Sequence, residues 1–368
     1  MHVSRFFVAW AWAILIPHSV SEHRSKDSIS CEGCALCRIV RATMLLVVLC
    51  LVPVALPAQE TQVCGNSVVV GVVDAHNLLV SGLKASDFKV SSRGAAPRVT
   101  SSEYRQNAGG RVVVLLDTSK RMGASAKNAK WRIANVMAKA FVTWMPPNEQ
   151  ITLIAFSEGE QRRFAAADGR KPIEEWLSSE PVSNGQILKG RSAWLDAVLA
   201  GIKELSPPQT GDALYIITDG GDNSSEASLE RVERELLNSG IRPFLFLIFD
   251  KYASSADRAA GFPRLQQLVE RSGGALVSLD RNSRLPPTGA GEPQLDSKTM
   301  AAMQETTLAL EAQISNFYLL QIEGVDSADK PRGWTIEVAD AEGHRRKDVF
   351  VTYPHRRVAC RPQSSPAQ

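Results

Sequence analysis

The chain has 368 residues, enough for two or three domains with ample cores. Its formal net charge of +3 is close to balance, which gives no global pull toward nucleic acid or a strongly acidic partner. A hydrophobic fraction of 44% with 22% charged residues excludes a disordered chain.

The first stretch reads as a leader rather than as part of a fold. Phe6 to Ile16 is apolar, yet shorter than the roughly 20 residues a membrane span needs. Met44 to Val54 makes a better secretory core, with Arg38 and Arg41 before it and a cleavage-like Ala55-Leu-Pro-Ala58 after it. The expectation is a leader over 1–58, with translation starting near Val40 or Met44, and a mature chain secreted or placed in the periplasm or cell envelope. Cys31, Cys34 and Cys37 have the spacing of half a zinc or iron–sulfur site, but no fourth ligand lies nearby and they fall in the leader. Only Cys64 and Cys360 then remain, and one pair in an exported protein suggests a disulfide between the first and last strands.

In chain order, Val63–Val73 has a strand pattern, followed by a turn near Asp74–Asn77 and short extended pieces at Asp87–Val90 and Pro97–Val99. These form an N-terminal β segment over 59–108. From Arg111 the pattern alternates. Strands are expected at Arg111–Asp117, Gln150–Phe156, Ala213–Asp219, Ile241–Phe249 and Ala275–Leu279. Helices are expected at Lys127–Met145, Ile173–Leu177, Ser192–Leu205, Ala227–Asn238, Arg264–Ser272 and Lys298–Ile314. Strand–helix alternation with short connections implies a doubly wound α/β domain with a mainly parallel sheet, placed over 109–315. Arg281–Pro293 is a loop. Strand patterns return at Phe317–Ile322, Trp334–Val338 and Asp348–Tyr353, in a C-terminal β segment and tail over 316–368. The two β segments are expected to form a small sandwich flanking the α/β domain.

The unbroken apolar run Arg111–Leu116 ends on Asp117, with Thr118 and Ser119 after it. Such a strand is covered on both faces and delivers its last residues to the carboxyl edge of a parallel sheet. The run ending at Thr218 delivers Asp219 in the same way. Ser192 precedes a helix, where its hydroxyl either caps that helix or faces the rim. Carboxylates and hydroxyls are hard ligands, suited to Mg²⁺, Mn²⁺ or Ca²⁺ rather than zinc. Asp117, Ser119, Ser192 and Asp219 are therefore the candidate metal ligands.

At these residues the chain resembles the von Willebrand factor A domain family, whose metal-ion-dependent adhesion site reads Asp-x-Ser-x-Ser, then Thr, then Asp. Here the first part is Asp117, Ser119 and Arg121, the second is Ser192 and the third is Asp219. The resemblance covers about Gly110 to Ile314, with flanks like those of a bacterial exported subgroup. It implies the doubly wound fold, a divalent cation at the carboxyl edge and a protein ligand that offers an acidic side chain. Arg121 departs from the pattern, standing where a second serine belongs. Its guanidinium is always charged and can pair with Asp117 or Asp219 in place of the cation, or turn outward on its long side chain and leave the site partly intact.

Three functions follow. The first is an exported, non-enzymatic module for protein–protein interaction or adhesion through the rim. The second is a metal-free structural module in which Arg121 replaces the cation. The third is a metal-dependent hydrolase, which lacks its parts: there is no Gly-rich phosphate loop, no His-Glu-x-x-His and no Gly-x-Ser-x-Gly. No nucleic acid and no small-molecule substrate are expected. Asp222 and Asn223 read as a solvated loop, and Asp196 as a helix-start residue. The basic runs His344–Lys347 and His355–Arg357 read either as a patch for anionic surfaces or as ordinary strand ends. Trp131, Trp144 and Trp194 read as core.

Overall fold

The computed structural model describes residues 67–92, 96–123, 129–248, 255–278, 297–324 and 332–357. The expected leader, the cysteines Cys31, Cys34, Cys37, Cys64 and Cys360, and the Arg281–Pro293 loop lie outside these residues.

In chain order the strands are β1 (Ser67–Asp74), β2 (Phe88–Ser92), β3 (Arg98–Arg105), β4 (Arg111–Asp117), β5 (Gln150–Phe156), β6 (Glu160–Phe164), β7 (Ala213–Thr218), β8 (Arg242–Leu247), β9 (Ala275–Ser278), β10 (Phe317–Glu323), β11 (Arg332–Val338), β12 (Val349–Thr352) and β13 (Arg356–Arg357). The helices are α1 (Ala129–Trp144), α2 (Lys171–Ser178), α3 (Glu180–Ser183), α4 (Trp194–Glu204), α5 (Leu229–Ser239), α6 (Ser255–Arg271) and α7 (Ser297–Ser315).

The central sheet has the order β6-β5-β4-β7-β8-β9, parallel except for β6. The period-2 geometry of its strands sorts their apolar runs between two cores. On one face Val112, Val114, Leu116, Tyr215 and Phe246 pack against α1, α2 and α7. On the other, Val113, Leu115, Ile216 and Leu245 pack against α4, α5 and α6. Tyr215 stacks on Phe141 of α1 with ring centroids 4.2 Å apart. Both faces of β4 are thus covered, as its unbroken apolar sequence requires. The order places β4 between β5 and β7. The chain leaves β4 for one neighbour and later returns to its other side, so the switch point of the sheet lies between the carboxyl ends of β4 and β7.

The remaining strands form two antiparallel sheets, β12-β1-β10-β3 and β13-β11-β2, and both draw strands from the two ends of the chain. Val70, Val72, Phe88, Tyr318, Leu320, Ile336 and Val338 fill the space between them. The Tyr318 hydroxyl donates to Val80 O at 2.9 Å and accepts from Leu83 N at 3.1 Å, fixing the loop that follows β1. The chain enters and leaves the α/β domain along one seam: Ala108 N donates to Ser315 O, and Asn107 N to Asn316 Oδ1. Arg242, fully buried, donates to Gln313 O and Ile314 O at the end of α7 and lies 4.7 Å from the centre of the Phe317 ring.

Three expectations need correction. Trp144 is 38% exposed, because it sits in the last turn of α1 where the helix runs out of sheet to cover, whereas Trp131 and Trp194 are buried. Helix α6 begins at Ser255 rather than near Arg264 and carries Pro263 inside it, where the ring removes one backbone bond without ending the helix. Strand β6 was not expected at all. Its sequence, Glu160 to Phe164, has little apolar character, and pairing to β5 makes it a strand at the sheet's edge.

Candidate functional site

Asp117 ends β4 and has no exposed surface. Its Oδ1 accepts from Ser119 N at 2.9 Å. Its Oδ2 accepts from the hydroxyls of Ser192 at 3.0 Å and Thr218 at 2.7 Å. Burial pushes its carboxyl above the usual carboxylate range; Ser119 and Thr218 pull it back, and the nearby Asp219 charge pushes it further up. The Ser119 hydroxyl is fully buried beside that carboxylate but meets no partner in hydrogen-bonding geometry.

Ser192 resolves in favour of the rim. Helix α4 starts two residues later and its N-cap, Ala193, makes no side-chain cap. The Ser192 backbone is clamped instead: its N–H donates to Asn223 Oδ1 at 2.9 Å, and its carbonyl accepts from Asn223 N and Ser224 N. Asp222 and Asn223 are exposed, yet they do more than meet solvent. Asp222 Oδ2 accepts from Leu195 N at 3.1 Å, so a side chain from the loop after β7 satisfies an orphan donor in the first turn of α4. Asp196 answers from that helix by accepting from Glu226 N and Ala227 N, both at 2.9 Å. These reciprocal bonds lock the Ser192 loop to the Asp219 loop.

Asp219 follows β7, and its side chain is 3% exposed. Its Oδ1 accepts from Gly221 N at 3.1 Å. Its Oδ2 meets two cations, Lys130 Nζ at 2.7 Å and Arg121 Nε at 3.4 Å. The Lys130 side chain, from the first turn of α1, is 5% exposed, whereas that of Arg121 is 43% exposed. The Arg121 guanidinium lies so close over Gly221 that a Cβ added there would stand 2.5 Å from Cζ. A side chain at 221 would therefore have to push the guanidinium aside.

The four expected ligand residues thus converge on one rim, at the switch point between β4 and β7. Sequence reasoning missed two residues of the cluster. Thr218 had only its place beside Asp219 to mark it. Lys130 had no local signal, since a lysine at the start of a helix is ordinary until the strand order aims it at Asp219. Whether a divalent ion fits can be judged from the charges present. Asp219 already has an ammonium and a guanidinium on Oδ2, so the residues as arranged do not fit a further cation, although the unpartnered Ser119 hydroxyl is a donor of the right kind. Two of the basic C-terminal residues have acidic partners: Arg345 pairs with Glu337 and Arg346 with Asp348, and His344 Nδ1 lies 3.8 Å from Asp340.

No protein-family model matches the chain, and no curated protein does. Among solved structures it is similar to an aerotolerance-related membrane protein from Bacteroides fragilis, at 17% identity over 56% of this chain and 98% of that one, with a TM-score of 0.39. It is similar to a von Willebrand factor type A protein from Catenulispora acidiphila at 12% identity over 76% of this chain and 75% of that one, with a TM-score of 0.41. The VWA domain of SpRpn10 is 13% identical over 52% of this chain and 94% of its own length, with a TM-score of 0.34. At this distance the likeness carries no argument about function. The architecture itself is a doubly wound, mainly parallel α/β domain flanked by a β-sandwich, with two acids at its switch point.

Proposed function

We propose that the chain is an exported, non-enzymatic interaction module whose α/β rim binds a protein partner through an acidic side chain. The observation that carries this reading is the convergence of Asp117, Ser119, Ser192 and Asp219 beneath a half-exposed Arg121. A guanidinium held on one side by Asp219 keeps donors facing outward, in a fork that matches a carboxylate. The same geometry argues against catalysis. Asp117 already accepts from two hydroxyls and an amide N–H, and no histidine occurs between His76 and His344 to serve as a general base. Export rests on the apolar run Met44 to Val54 and the residues flanking it.

The test is photo-crosslinking of the full chain in envelope extract. A photoreactive residue is placed at Lys189 on the rim or at Lys203 near the other end of α4. Crosslinks from position 189 that vanish on Arg121→Glu are expected. Equal crosslinking from both positions, or indifference to the Arg121 change, would refute the rim as the binding surface.

A further inference from the structure

We infer that the Lys130 ammonium is the resident cation of this acid cluster, so that the rim works without a metal ion. Asp219 meets two cationic side chains, Lys130 and Arg121, so its charge is answered without a guest. Lys130 Nζ is the nearer of the two to Asp219 and is as buried as the carboxylate it meets. A desolvated contact of 2.7 Å is a charge-assisted hydrogen bond in a water-poor setting, where a paired charge is held most firmly.

The lysine cannot easily withdraw. Its neighbour Trp131 is fully buried and donates its indole N–H to Val182 O at 2.6 Å, which fixes the first turn of α1 against α3. A divalent ion at Asp219 would have to sit beside this ammonium or displace it. Arg121 adds a second obstacle, because its guanidinium covers Gly221 on the solvent side. An ammonium has no open coordination position to offer a partner. The outward donor is Arg121, and recognition of a carboxylate at the rim follows as direct, salt-sensitive pairing indifferent to chelators.

The inference deepens the interaction reading, and its contact with a partner rests on that reading. The cation itself can be tested alone, with Mn²⁺ as the probe. Free Mn²⁺ is followed by electron paramagnetic resonance on the full chain, beside Asp219→Asn and the double variant Lys130→Met/Arg121→Ser. The wild type is expected to bind no Mn²⁺ beyond the Asp219→Asn background at about 1 mM, and the folded double variant to bind at least about tenfold more tightly, with a higher Tm in Mn²⁺. Wild-type binding that Asp219→Asn abolishes would overturn the inference, as would a folded double variant that binds none. Should the double variant not fold, the comparison of wild type with Asp219→Asn decides alone. No partner enters this titration and no metal enters the crosslinking, so the two readings fail separately.

Discussion

Replacing Lys130 with methionine keeps most of the length of the side chain and removes its charge, leaving Asp219 buried with a weaker set of partners. Deleting one member of a buried ion pair costs about 3–5 kcal/mol, because the other charge stays desolvated. Arg121 Nε at 3.4 Å and Gly221 N at 3.1 Å remain on the carboxylate, so the lower end applies, at about 3 kcal/mol. Asp219→Asn strands the ammonium and should cost a similar amount. With both changes made, two neutral groups face each other and most of the loss returns, giving a coupling of about 3 kcal/mol or more. Urea unfolding of the four proteins at constant m-value measures it. A coupling below about 0.5 kcal/mol, the size found for exposed pairs, would show that Lys130 and Asp219 do not meet in a dry site, and the reasoning about the cation would fall with it.

Other changes test neighbouring parts. Gly221→Ala should push the Arg121 guanidinium off Asp219 without deleting it, seen as a shift of the Arg121 Nε–H resonance toward a solvent-exposed position with the fold intact. Arg242→Met should cost about 3 kcal/mol or more in urea, because it strands the Gln313, Ile314 and Gly211 carbonyls and removes a cation whose pKa burial already lowers to about 10. His355 has its pKa lowered chiefly by burial; Glu270 opposes that next, and Arg271 adds a smaller lowering effect. A base that binds protons less well folded than unfolded lowers stability as pH falls, starting near the unfolded value of about 6.5 and continuing through the folded pKa. His355→Gln should therefore flatten the stability profile of the chain below pH of about 6.5, and an unchanged slope there would count against that account.

The parallel sheet was legible because its strands are buried on both faces and announce themselves as unbroken aliphatic runs, as in Val112–Leu116 and Leu214–Ile217. Asp117 and Asp219 were legible for the same reason, each standing where such a run stops. Strand β6 escaped because all of its residues but Phe164 face solvent and the β5 ladder specifies it. Lys130 escaped for a different reason. Its role depends on a contact across 89 positions of sequence, created when β7 settles beside β4 and brings Asp219 within reach of α1. Only the Asp117–Ser119 contact is coded by adjacent residues; Ser192 and Thr218 reach Asp117, and Lys130 reaches Asp219, through the topology.

The interleaving of β1 between β10 and β12 sets an order of events during synthesis. The α/β domain draws its sheet and both its cores from an uninterrupted run, Arg111 through Ser315, and can close as soon as that run is available. Strands β1 to β3 must wait, since the residues that line their inner faces, Tyr318 through Tyr353, are made last. Until then the early valines of β1 have no shelter. A chain cut short after α7 would retain the rim but leave Val68, Val70 and Val72 open to water, so premature termination should yield a soluble-looking head on a sticky stem.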